Sequence, residues 1–96
     1  MVVPYNSTIG ISMNSKQTKT LEAVFKKPTK TNILWSDIEK LMVALGAKII
    51  ECKGSAGTFV LQGATFPFHR PHPQKEAKFY QVEKLRKFLI ENGVTV

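Results

Sequence analysis

Two turn signals, Gly54-Ser55 and Gln62-Gly63, stand eight residues apart, and the stretches flanking them are short, apolar and rich in β-branched or aromatic residues. Turns this tight join neighbouring antiparallel strands. The spacing predicts a meander, with a first strand over Ala47 to Glu51, a second over Thr58 to Leu61 and a third over Ala64 to Phe68. Gly57 falls with Gly54-Ser55 in the first turn on this reading. Alternation sets Phe66 and Phe68 on one face of the third strand, and His69 on the other if the strand runs that far. Pro67 has no N–H to give to a ladder, so the strand belongs at a sheet edge or carries a bulge.

The segments around the meander have a helical period. Asn14-Ser15 can cap a helix over SKQTKTLEAVFKK, whose Leu21, Val24 and Phe25 share a face and which Pro28 stops. Ser36 and Glu39 have the spacing of a capping box, and Ile38, Leu41, Met42 and Leu45 form a stripe that Gly46 ends. Beyond the loop RPHPQKEA, Phe79, Val82, Leu85 and Leu89 predict a core stripe flanked by Phe88 and Ile90, with Gly93 past its end. Glu83 precedes Lys87 by four residues, the spacing of a supporting pair. The order α-α-β-β-β-α predicts an α+β two-layer sandwich. A three-stranded antiparallel meander carries helices on one face and leaves the other solvated. Residues 1–13 lack periodicity and read as a flexible N-terminal extension, and residues 14–96 as one domain.

Charge narrows the choice of partner. Fourteen Lys and Arg against seven Asp and Glu give a net charge of +7, and the excess is divided between residues 1–33 and 53–96. Such a surface favours a polyanion: RNA, DNA or an acidic protein. A single cysteine, Cys52, rules out an internal disulfide framework. It fits a reducing compartment and, beside a strand end, a half-buried side chain. No apolar run approaches the roughly 20 residues needed to cross a bilayer, and the first residues lack the basic start of a secretory signal. The expectation is a cytoplasmic protein with no membrane partner. No P-loop, nucleophile elbow or zinc spacing occurs, which removes the NTPase, serine-hydrolase and zinc-finger readings. Two histidines and one cysteine do not make a ligand set, so no metal and no cofactor is expected.

Chemistry concentrates between Lys53 and Lys78. The run HRPHP places His69 and His72 on either side of Arg70-Pro71. Metal-free RNA cleavage needs a base for the 2′-hydroxyl, an acid for the departing 5′-oxygen and cations for charge developing on phosphorus. Two imidazoles and an arginine have those capacities, although a plain surface loop with two histidines reads the same way. The N–H groups of Gly54 and Ser55, with Lys53, can hold a phosphate at the sheet rim or form only a hairpin turn. Arg70, Lys75 and Lys78 are the cations of the loop and of the last helix's first turn.

From Trp35 onward the chain resembles the HicA family of bacterial toxins, and the start MNSKQTKTLEAVF resembles one branch of it. The likeness spans residues 13–94 and rests on Leu45-Gly46-Ala47 after a helix, the Lys53-Gly54-Ser55 turn, His72-Pro73-x-Lys75-Glu76, and Leu85-Arg86-x-Phe88-Leu89. It implies a fold like the double-stranded RNA-binding domain, a ribosome-independent mRNA interferase activity, and neutralisation by a HicB antitoxin. In the family's best-known members the residue after Gly-Ser is the catalytic histidine; here it is Ala56, and Gly57 replaces the second histidine of that pattern. A methyl group moves no proton. Either Ala56 is an inactivating substitution, or the branch has diverged and His69 and His72 serve instead; the second loss, at Gly57, favours divergence. Three functions stay open: an active toxin, a non-catalytic RNA-binding module, and an interaction domain for an acidic antitoxin alone.

Overall fold

Asn14 starts the first helix by reciprocal capping. Its Oδ1 accepts from the Gln17 N–H at 2.9 Å, while Gln17 Oε1 accepts from the Asn14 N–H at 3.0 Å. The computed structural model describes residues 13–96. Of the expected N-terminal extension, residues 1–12 lie outside the described residues, and Met13 packs against the core. The elements run α1 (Ser15–Phe25), α2 (Trp35–Ala44), β1 (Lys48–Glu51), β2 (Ala56–Leu61), β3 (Ala64–His69) and α3 (Phe79–Glu91). This is the expected α+β order, and the sheet is an antiparallel meander, β1-β2-β3.

Alternation along β2 builds the core. Gly57, Phe59 and Leu61 are buried while Ala56, Thr58 and Val60 are half-buried on the other face. The inward side meets Ile38, Leu41, Met42 and Leu45 of the α2 stripe and Val82, Leu85, Phe88 and Leu89 of α3. Full burial of each such side chain stabilises the fold by about 1.5–3 kcal/mol. Aromatic rings fill the centre: Phe59 lies 4.5 Å from Phe68 between centroids, and Trp35 lies 5.2 Å from Phe68 and 6.0 Å from Phe59. The second turn needs a left-handed backbone at both central positions, and Gln62 and Gly63 supply it with φ of 52° and 84°.

Several local expectations are corrected. Gly57 is not in the turn: it is a β2 residue paired with Glu51 and Phe68, and a Cβ there would stand 2.6 Å from Phe68 Cζ. The Ser36–Glu39 capping box is not made, because α2 begins at Trp35 and the Glu39 carboxylate is taken by Arg70. Backbone pairing fixes that helix start instead. The Trp35 N–H donates to the Lys75 carbonyl at 2.9 Å, and the Ala77 N–H to the Ile33 carbonyl at 2.7 Å. In α3 the stripe is Val82, Leu85, Phe88 and Leu89, while Phe79 and Ile90 are about half exposed. The ion pair of that helix joins Lys87 to Glu91 at 4.0 Å; Glu83 accepts from Thr29 Oγ1 rather than pairing with Lys87. Cys52 lies just past β1 and is exposed.

Candidate functional site on the open sheet face

With the helices on the inward side, the other face of the sheet is left to Lys48 and Ile50 of β1, Ala56, Thr58 and Val60 of β2, and Thr65, Pro67 and His69 of β3. Pro67 sits in an edge strand, as its missing N–H requires. The strand register is the decisive geometry: Ala56 is the direct cross-strand partner of His69. The His69 carbonyl accepts from Gln81 Nε2 at 2.8 Å, and the Arg70 N–H donates to the Ser55 carbonyl at 3.0 Å. The Ala56–His69 pair is therefore the kind without mutual hydrogen bonds, in which opposed side chains approach most closely, with Cβ atoms about 4.5–5.5 Å apart.

Arg70 is held rather than free. Its Nε donates to Glu39 at 2.7 Å, and its two terminal nitrogens donate to Glu51 at 2.9 Å each, with the guanidinium 5.4 Å from the Phe68 ring centroid. The hydrogen bonds to Glu39 and Glu51 raise its pKa further above the ordinary arginine value. The bond from Arg70 likewise holds the Glu51 carboxyl below the usual glutamate range. Arg70 thus ties the first hairpin, β1 and α2 together, and its charge is matched by two carboxylates.

The other sequence candidates are exposed. Lys53, Gly54 and Ser55 form the turn beside Ala56, with Gly54 in the left-handed region at φ 65° and the Ala56 N–H donating to the Lys53 carbonyl at 3.2 Å. His72 lies in the loop beyond β3, and Lys75 shares a cleft with Trp35, Glu39, Arg70 and Pro71. Lys78 precedes α3, and Gln81 Oε1 accepts from its N–H at 2.8 Å. Gln81 therefore stitches the end of β3 to the start of α3 with both ends of its amide. None of Lys53, Lys75 and Lys78 has a carboxylate partner among the described residues, nor has the imidazole of His69 or His72 a hydrogen-bond partner among them. The structure brings Lys53, Gly54, Ser55, Ala56, His69 and Arg70 to one end of the sheet. Among the described residues no cluster of three or more His, Cys, Asp or Glu stands ready to hold a metal.

The family model described as "HicA toxin of bacterial toxin-antitoxin" matches residues 35–92, from the first residue of α2 to just past α3. The chain belongs to the HicA toxin family. Membership of a toxin–antitoxin family implies an antitoxin partner for this chain. The HicA match leaves out α1, which packs on α2 and α3 from outside the shared unit. No curated protein and no solved structure matches the chain. No helix among the described residues is long and apolar enough to cross a membrane.

The sequence gives no sign of a role for Tyr80 and places Lys84 only on the mixed-charge outer face of the last helix, which does not read as a phosphate-binding stripe. Tyr80 and Lys84 line a cleft with Pro67, His69 and Gln81 along the free edge of β3, and Lys84 Nζ lies 5.5 Å from the Tyr80 ring centroid. Their i, i+4 spacing was visible, but only the docking of α3 brings that face beside His69.

Proposed function

We propose that this HicA toxin is a metal-independent endoribonuclease acting on mRNA, with His69 as its proton-transferring group. The register carries the reading. His69 stands directly across the ladder from position 56, where the family resemblance places the catalytic histidine and this chain has alanine. An imidazole on the neighbouring strand can reach the same substrate atoms.

In this mechanism His69 takes the proton of a 2′-hydroxyl as O2′ attacks the adjacent phosphorus. The bond to O5′ breaks, leaving a 2′,3′-cyclic phosphate and a free 5′-hydroxyl. The imidazolium of His69, or His72 from the loop, returns a proton to O5′. Lys53 and the N–H groups of Gly54 and Ser55 hold the phosphate, and Lys75 and Lys78 steer the flanking chain. Arg70, engaged by two carboxylates, serves by fixing the hairpin against α2. No cofactor enters. The likeness to the double-stranded RNA-binding domain implies contacts to ribose and phosphate more than to base edges. A HicB-like acidic antitoxin would cover the same cationic rim.

The test is incubation of purified protein with mRNA in chelating buffer. Cleavage to cyclic-phosphate ends is expected, falling at least about 100-fold in His69→Ala, the lower end of what general acid–base catalysis supplies. A second reading, a non-catalytic RNA-binding module, draws on Ala56 itself: a methyl group stands where the family resemblance places the catalytic imidazole, and Gly57 removes the second histidine of that pattern. Salt-sensitive RNA binding without cleavage selects it. Tight antitoxin binding with no RNA affinity leaves only an interaction domain.

A further inference from the structure

Lys84 is an exposed cation with no carboxylate partner among the described residues, held over the ring of Tyr80, a residue 52% exposed. Both lie on the first turns of α3, where Gln81 ties the helix to the carbonyl of His69. The cleft they share with Phe66, Pro67 and His69 measures about 210 Å³. That is below the roughly 300–1,000 Å³ of sites for drug-sized ligands, so it suits one flat ring rather than a whole cofactor. An aromatic platform, a free ammonium and an imidazole along a strand edge match the parts of a nucleotide: base, phosphate and ribose hydroxyl. Charge argues for the same occupant, since the chain carries +7 and Lys84, unlike Arg70 with its two carboxylates, has none to match it among the described residues.

We propose that this cleft is a single-nucleotide subsite for single-stranded RNA, in which Tyr80 stacks one base and Lys84 holds the phosphate beside it. The inference rests on the RNA reading above and adds to it a place and a strand preference. A base already stacked in a duplex has no free face for Tyr80, so the cleft selects unpaired RNA. The bound base fixes which phosphodiester lies at His69. Lys84 moves from the ring to the phosphate when RNA enters.

The experiment is fluorescence anisotropy with a labelled single-stranded RNA oligonucleotide in chelator at low salt, using the whole chain. Tyr80→Leu is expected to weaken binding about 5- to 150-fold, the range of one lost aromatic–base stack, with Tyr80→Phe close to wild type. Lys84→Gln should weaken binding and lower the slope of log affinity against log salt by about 0.7. Both side chains are exposed, and thermal melts establish that the variants fold. A hairpin duplex of the same composition should bind without regard to Tyr80. If Tyr80→Leu and Lys84→Gln bind as wild type while Lys53→Gln does not, the subsite is wrong and the RNA reading survives. If wild-type protein binds no RNA, the RNA reading falls and the subsite falls with it.

Discussion

Ala56 and Gly57 are neighbours on β2 and point to opposite faces, so the two family histidine positions meet different fates. Position 56 opens to solvent beside His69, whereas a side chain at 57 runs into Phe68. Ala56→His should therefore fold and place a second imidazole within reach of the first. Cleavage in chelator is expected to rise tenfold or more, read by product formation on mRNA; no gain, with folding intact, would mean that the surrounding groups do not form a catalytic site. Gly57→Ala should instead destabilise the domain by about 1–3 kcal/mol in urea melts, because Phe68 is wedged between Trp35 and Phe59 and cannot swing aside. Glu51 brings in pH. Arg70 lowers its folded-state pKa, so its contribution is fully present above the ordinary glutamate pKa and is lost as pH falls through the lower folded one. Glu51→Gln should flatten that acid limb in melts taken from neutral pH down to about 3, and leave the neutral-pH activity standing.

At the scale of elements, periodicity was enough for what depends on neighbours in sequence. The α2 stripe, the Gln62-Gly63 turn and the edge placement of β3 all follow from local spacing, and each is where the sequence puts it. The errors share a different origin. Ser36 and Glu39 have the spacing of a cap, but Arg70, 31 residues away, outbids the backbone N–H for that carboxylate. Phe79 belongs to an apolar pattern, yet α3 rotates to bury Phe88 and leaves Phe79 outside. The candidate site divides along the same line: its hairpin was legible as a turn, while the pairing of Ala56 with His69 needed the register and the Tyr80–Lys84 cleft needed the docking of α3. Arg86 is the clearest case of a role invisible to local pattern. Buried on α3, it donates to the carbonyls of Val24 and Lys26 and to Thr29 Oγ1, at 2.9, 3.2 and 2.8 Å, and so caps the far end of α1. Arg86→Leu should cost about 2–3 kcal/mol through those stranded carbonyls and reduce hydrogen-exchange protection in α1 first.

Across the whole molecule, 37 × 29 × 22 Å, two groups of lysines differ in what they line. One flanks the candidate site along the chain: Lys53 in the hairpin turn, Lys75 in the loop beside Arg70, Lys78 before α3 and Lys84 in the cleft with His69. The other lies on α1 and the linker after it, where Lys19 and Lys30 line a groove with Asp37, and Lys16 pairs with that Asp37 at 3.8 Å. Net charge alone does not distinguish them; counterion release does. Each phosphate neutralised on a single strand contributes about 0.7 to the slope of log affinity against log salt, so the four lysines flanking the site give a slope near −3. Measured by anisotropy from about 50 to 200 mM salt, that slope should shrink stepwise as Lys53, Lys78 and Lys84 are changed to Gln. It should stay constant when Lys19 and Lys30 are changed, because those residues lie outside the HicA-matched segment and line a groove that shares no residue with the cleft beside His69. The reverse pattern would put the RNA in the α1 groove, which His69 does not line, and would leave the open sheet face to the antitoxin.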